Sequence, residues 1–244
     1  MERAERFRAA RRDPRLVVLE GFHAVKHAVR FGAEIVELVA SEEAPLEDLS
    51  AELAPDMRGR LEGVQRVPAD RFAELSPAPP PTGIVGIAER PAVGAAEALE
   101  TEGPAQVVFL EEPRRLENVG AVVRVAAAAG AAGVLTSGPH DPWHPAAVRG
   151  SAGLHFALPV ARVDRLPASD RPLVALDPGG VDAAPGVVPP RAVLAFGTER
   201  AGLRPDLLAR ADLRLRIPMR PGVSSLNLAT AVAVALYLPE ATTP

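Results

Sequence analysis

Residues 16–21, LVVLEG, form a short apolar run closed by glycine. FHAVKHAVRFG then changes rhythm, with Phe22, Val25 and Val29 at helical spacing and Gly32 as a stop. The first pattern predicts a strand and the second a helix. EIVELVAS (34–41) predicts a second strand. A polar Glu- and Pro-rich stretch leads to VQRVPADRFAEL, which reads as a short strand and a helix start with Asp70 as N-cap. SPAPPPTG (76–83) cannot be regular structure, because its four prolines lack amide donors and fix φ. TGIVGIAERP (82–91) returns to a strand pattern. Together these predict a small β/α module over residues 1–91.

AVGAAEALETEGPA (92–105) is rich in small residues and charged toward its end, and reads as a linker. Residues 106–244 then show regular alternation. Strands are predicted at 106–112, 133–137, 172–177, 192–197 and 213–219, and helices at 119–130, 204–211 and 225–238. Each strand is nearly all apolar, which predicts a parallel sheet covered on both faces, hence an α/β fold.

Composition narrows the chemistry. The 244 residues are 48% apolar and 24% charged, as in folded globular proteins. No stretch approaches the roughly 20 apolar residues of a membrane span. The charged start, MERAERFRAARRDPR, has no apolar core of a secretory leader, so a cytoplasmic setting is expected. There is no cysteine, which excludes disulfides, thiol catalysis and thiolate-bound metal. Lys26 is the single lysine, so cationic contacts fall to arginine, the better bidentate phosphate ligand. The net charge of −4 argues against non-specific nucleic-acid binding. It is unevenly spread: residues 1–15 hold six arginines against three acids, whereas residues 16–95 hold seven basic and thirteen acidic groups. The basic arm 1–15 is therefore a candidate RNA contact, or else a solvated helical lead-in.

Phosphate-loop, dinucleotide and nucleophile-elbow motifs are absent. His140 and His144 are four apart, but Pro142 and Pro145 should break any helix that aligned them, and no metal site is expected. Three segments of the second half stand out instead. Asn118 precedes a helix as its expected cap, with Gly120 near the helix start and Arg124 about one turn in. LAFGTERAGL (194–203) ends a strand at Gly197, with room for a ligand plane, and carries Glu199 to the rim where ligands of open α/β sheets sit. RIPMRPGVSSLNLATAVAVAL (216–236) ends a strand, turns through glycine, and sets Ser224 and Ser225 at a helix N-terminus with Asn227 in its first turn. Exposed amides there can bind an anion or polarise a hydroxyl.

In order and spacing these segments resemble the three motifs of the SpoU/TrmH-type RNA 2′-O-ribose methyltransferases of the SPOUT superfamily: Asn118 to Arg124, Gly197 to Leu203, and Ile217 to Asn227. RGSAGLHFALPV (149–160) resembles the family's segment between the first two. The opening LEGFHAVKHAV is similar to its ribosomal-protein-like substrate-binding domain. The resemblance implies a trefoil-knotted C-terminal domain at 106–244, an exception to unknotted topology, behind an RNA-binding domain at 1–91. It implies S-adenosylmethionine as cofactor, held by Gly197, Ile217, Met219 and Leu226. It also implies a homodimer in which Arg124 serves substrate bound mainly by the other protomer. A guanidinium is a poor general base at neutral pH, so Arg124 is expected to hold the adjacent phosphate and polarise the ribose 2′-OH. Asn118 and Asn227 would orient these groups, Ser225 would bind cofactor or support the knot, and Glu199 would hold its loop or touch substrate.

EEPRRLENVG (111–120) departs from the family pattern at Arg114–Arg115 and Leu116–Glu117. With Arg149 and Arg220, Arg114 and Arg115 are candidate phosphate contacts. The extra N-terminal module favours large-subunit ribosomal RNA as target over transfer RNA, on analogy alone. A non-catalytic RNA-binding or assembly protein is the reading from another class. It is disfavoured because Asn118, Arg124, Glu199, Ser225 and Asn227 are all intact.

Overall fold

Backbone pairing in the computed structural model, which describes residues 2–57, 59–61, 63–198 and 201–238, sorts the strands into two sheets. The first eight elements are α1 (Arg3–Ala10), β1 (Leu16–Glu20), α2 (Phe22–Arg30), β2 (Ile35–Ser41), α3 (Leu46–Leu53), β3 (Gln65–Val67), α4 (Ala69–Ala73) and β4 (Ile84–Glu89). Then come α5 (Ala95–Leu99), β5 (Val107–Leu110), α6 (Leu116–Ala128), β6 (Gly133–Thr136), α7 (Pro145–Gly150) and β7 (Val160–Arg162). The last five are β8 (Leu173–Asp182), β9 (Val193–Phe196), α8 (Pro205–Arg210), β10 (Leu213–Arg216) and α9 (Leu228–Leu236). The chain divides into two compact units, one of residues up to Ala92 together with Trp143–Ala157, the other of Val93–Pro142 together with the chain from Leu158 onward.

The first unit holds a mixed sheet in the order β1-β4-β2-β3, with β4 antiparallel to both β1 and β2, and β2 parallel to β3. Gly32 ends α2 as expected: its φ is +79°, and Gly32 N and Ala33 N donate to Val29 O and Ala28 O. That paired arrangement satisfies the last helical carbonyls. Asp70 lies inside α4, whose N-cap is Pro68, so the expected side-chain cap is absent. Residues 1–15 are not a free basic arm. Ala4, Phe7 and Ala10 recur on one face of α1 and are buried in the core with Val18, Val39, Val85 and Ile87. Arg3 and Arg6 pair with Glu37, Arg11 with Glu20, and Arg15 with Asp13.

Segment 143–157 adds a helix the sequence did not signal. No helix aligns His140 with His144, as expected; α7 starts only at Pro145, because the first helical position has no use for the missing amide. The His144 Nδ1 caps it by accepting from Ala146 N at 3.1 Å. Trp143 is buried, with His155 tilted against its ring, Phe156 edge-on, and the Arg90 guanidinium 5.5 Å from its ring centre. Gly153 (φ +79°) packs so close to Ala24 that any Cβ would collide with its backbone.

The second unit holds an all-parallel sheet in the order β10-β8-β9-β5-β6-β7. Every residue of β5, β6 and β9 is buried, as expected of strands covered on both faces. The stretch 92–105 is not a bare linker. It carries α5, whose Ala98 and Leu99 are buried in this unit's core. Gly133 on β6 has no room for a side chain because Ala98 occupies that space. Arg171, 4% exposed, fixes the chain after α5 by donating to the carbonyls of Leu99, Thr101, Ala105 and Arg191. No helix among the described residues is long and apolar enough to cross a membrane.

Candidate active site

An irregular stretch within β8 and the loops at the carboxyl ends of β9 and β10 enclose a cavity of about 550 Å³, all within the second unit. This is within the range of roughly 300–1,000 Å³ typical of small-molecule sites. The first of these three lies within β8. Its ladder with β10 pairs Leu213 with Val174 and Arg214 with Ala175, then resumes at Leu215 with Val181. Residues 176–180 therefore leave the ladder, and Leu176, Asp177 and Pro178 line the cavity.

The second loop follows β9. Thr198 N donates to Gly202 O and Gly202 N to Thr198 O, closing a tight loop. Ala201 N also donates to the Thr198 hydroxyl at 3.0 Å. A Cβ on Gly197 would run into the backbone of Gly202 and Leu203. The space read from sequence as room for a ligand plane is thus filled by the chain itself. Glu199, expected at this rim, lies outside the described residues. The loop is anchored at Arg204, which donates through N (2.7 Å) and Nε (3.0 Å) to the buried Glu111 carboxylate at the end of β5.

The third loop is 217–227. Pro218 carries no donor and biases Ile217 to extended backbone, so β10 stops at Arg216 instead of 219. Helix α9 starts at Leu228 instead of 225, because Asn227 is its cap and accepts from Ala229 N at 2.9 Å. Ser224 and Ser225 consequently sit in the irregular segment before the helix, and both line the cavity. So do Gly197, Ile217, Met219 and Leu226, the four residues read as cofactor contacts.

Helix α6 begins three residues earlier than the Asn118 cap predicted. Arg115 is extended, Leu116 opens the helix, and Asn118 falls in the first turn. Its other end follows the prediction: Gly130 (φ +69°) and Ala131 return amides to Ala127 O and Ala126 O. Helices α6 and α9 pack together. Asn227 Nδ2 donates to Asn118 Oδ1 at 3.4 Å, so the first and third motifs meet. Arg124 is exposed on α6 and is not part of the cavity wall. Arg114, Arg115 and Arg220 are exposed as a phosphate contact requires. Arg149 instead donates to the Glu20 carboxylate at 3.1 Å, inside the first unit. Sequence reasoning missed Leu176, Asp177 and Thr198. The Pro-Gly-Gly that follows Asp177 is the signal that the strand leaves its ladder at the ligand-binding edge.

The walls suit an adenosine-bearing sulfonium. Leu176, Phe196, Leu203, Leu208 and Leu215 offer apolar surface to a flat base. Arg216, the one cation among the described lining residues, is paired with Asp182 and does not oppose a positive ligand. A crevice at the carboxyl ends of a parallel sheet, joined by an Asn–Asn contact to an Arg-bearing helix, suits a group-transfer enzyme with a small diffusible cofactor.

Comparison with known proteins identifies which one. Residues 105–237 match the SpoU rRNA Methylase family. The chain is 31% identical over 232 residues to a 23S rRNA (guanosine-2′-O-)-methyltransferase of Bordetella pertussis, covering 90% of this chain and 95% of that protein. It is 29% identical over 239 residues to the 23S rRNA (adenosine(1067)-2′-O)-methyltransferase of Streptomyces laurentii, covering 91% and 85%. The AdoMet-bound rRNA methyltransferase structure from Sinorhizobium meliloti superposes with a TM-score of 0.74 at 26% identity, over 96% of this chain and 92% of that one. The chain belongs to the SpoU rRNA methylase family. It is an S-adenosylmethionine-dependent RNA 2′-O-methyltransferase.

Proposed function

We propose that this enzyme methylates a ribose 2′-hydroxyl of large-subunit ribosomal RNA in the cytoplasm, working as a homodimer. The observation that carries the site assignment is the Asn227–Asn118 contact, which ties the cavity loop to the helix bearing Arg124. The relatives named for 23S ribosomal RNA span about nine-tenths of the chain, including the first unit, and this favours ribosomal over transfer RNA.

S-adenosylmethionine supplies a sulfonium-bound methyl group, already a strong electrophile. Gly197, Ile217, Met219 and Leu226 hold it, in the loops that the resemblance would thread into a trefoil knot, with Ser225 on the same wall. Asn118 and Asn227 orient the incoming ribose. Arg124, offered to substrate on the other protomer, binds the neighbouring phosphate and polarises the 2′-OH, whose proton passes late to solvent water as the oxygen takes the methyl group and the thioether leaves. Positioning of this kind is what in-line transfer chiefly needs. Arg114, Arg115 and Arg220 are the phosphate contacts we retain. Arg149 is weaker because Glu20 already holds it.

The test is methyl transfer from labelled cofactor to 23S ribosomal RNA and to transfer RNA, with the modified nucleotide mapped. Label on one 2′-oxygen of 23S RNA is expected. Transfer to transfer RNA alone would overturn the target, and transfer to neither would overturn the catalytic reading.

A further inference from the structure

Asp177 is the one carboxylate among the described residues lining the cavity, and the motifs assign it nothing. Its placement is built into the sheet. Five residues of β8 leave the β10 ladder, and pairing resumes at Val181, just after Gly180, where a side chain would collide with Arg214 and Leu215 backbone. Irregularities of this kind re-aim side chains beside active sites. The Asp177 side chain is 21% exposed, and its nearest cation, Arg214 Nη1, is 3.7 Å away in a loose pair.

Strand order locates the carboxylate relative to the chemistry. β9 separates β8 from β5, whose carboxyl end leads into α6, so Asp177 lies on the side of the cavity away from Asn118 and Asn227. In the proposed function the methyl group is delivered toward Asn118 and Asn227, which orient the incoming ribose. The part of the cofactor facing Asp177 is then its adenosine end, among apolar side chains that include Leu208 and Leu215. A carboxylate has two oxygens, which match two adjacent hydroxyl donors.

We propose that Asp177 is the polar anchor of the cofactor, accepting hydrogen bonds from the vicinal hydroxyls of its ribose. The proposal rests on S-adenosylmethionine binding in this cavity. Hydrogen bonds to a charged group are among the stronger ones, so losing them should weaken binding roughly ten- to a hundred-fold.

The test is calorimetric titration of the full-length protein with S-adenosylmethionine, S-adenosylhomocysteine and 5′-methylthioadenosine, for wild type, Asp177→Ala, Asp177→Asn and Arg214→Ala. Both Asp177 variants should lose affinity equally for all three ligands, and Arg214→Ala should bind as wild type. Removing a ribose hydroxyl from methylthioadenosine should weaken binding to wild type but not to Asp177→Ala. Unchanged affinity in the Asp177 variants overturns the proposal. So does a loss confined to the two amino-acid-bearing ligands, which would place the carboxylate at the other end of the cofactor. So does a loss reproduced by Arg214→Ala, which would make the ion pair the cause. A melting curve on the isosteric Asp177→Asn variant separates misfolding from lost contact. Wild-type protein that binds none of the ligands would sink the cofactor reading itself, a different result from all of these.

Discussion

Arg124 is exposed on α6, six residues beyond Asn118 and outside the cavity wall. A residue so placed can act on RNA without touching cofactor. Arg124→Ala should therefore leave the cofactor dissociation constant within two-fold while single-turnover methylation at saturating cofactor falls by orders of magnitude. A near-normal rate would remove Arg124 from the mechanism. Gly197 is constrained differently. Its side-chain space is taken by Gly202 and Leu203 backbone, so Gly197→Ala should force the loop apart and abolish measurable cofactor binding. Retained affinity would show that the loop can yield. His27 offers a pH signature. Burial holds its pKa below the ordinary value, although its hydrogen bond to Ala152 O (2.7 Å) opposes the shift. Below about pH 6.5 the unfolded chain then binds a proton that folded His27 resists, so stability falls as pH drops through that window. Melting temperatures at pH 7.5 and 5 should differ less in His27→Gln than in wild type. Equal slopes would assign the acid loss to other groups.

At the scale of elements, the sequence signalled strands and glycine stops better than helix starts. Gly32 and Gly130 terminate α2 and α6 because only glycine adopts positive φ without strain. Asn118 and Asp70 failed as caps because any short polar residue near a helix start looks alike until the flanking backbone is known. Asn227 succeeded as a cap where it had been read as a first-turn residue. The basic N-terminus shows the same limit. Charge counting sees six arginines, but not that four of them face carboxylates of the first unit. Glu20 concentrates this effect. Its carboxylate, 5% exposed, receives Arg11 just after α1, Ser76 after α4 and Arg149 from α7. Truncating it leaves Arg11 charged and poorly solvated. Glu20→Ala should cost about 3 kcal/mol in chemical denaturation, toward the buried-pair limit. A loss within about 0.5 kcal/mol would make these pairs surface decoration.

For the whole molecule, the division of the chain changes what a truncation means. A cut at residue 91 looks clean on the sequence, yet Trp143–Ala157 belongs to the first unit. Deleting residues 1–91 would bare Trp143, Ala147 and Val148, all buried in the intact protein. That truncation is expected to aggregate. Deleting 1–91 and also replacing 143–157 by a short Gly-Ser link should leave cofactor affinity within a few-fold while weakening RNA binding strongly. Unchanged RNA affinity would mean that the first unit is not the selector. Helix α9 bears on assembly. Leu228, Val232 and Ala235 are buried, whereas Ala233, Val234 and Leu236 are half-buried and Tyr237 is exposed. An apolar helix with a half-open face is suited to a second copy. Sedimentation at micromolar concentration should give roughly twice 25.6 kDa. An active monomer would contradict both the dimer and the role of Arg124 across it.

The sequence by itself determined the strand-and-helix alternation, the parallel sheet and the motif residues on the cavity wall. Each depends on local periodicity or on residue types at fixed spacing. Tertiary structure decided what no local window contains. It buried the α1 face, gave α7 to the first unit, filled the space at Gly197 with the chain's own backbone, and swung Asp177 out of its ladder. These are contacts between residues tens of positions apart, and their energies arise only when the chain has closed on itself.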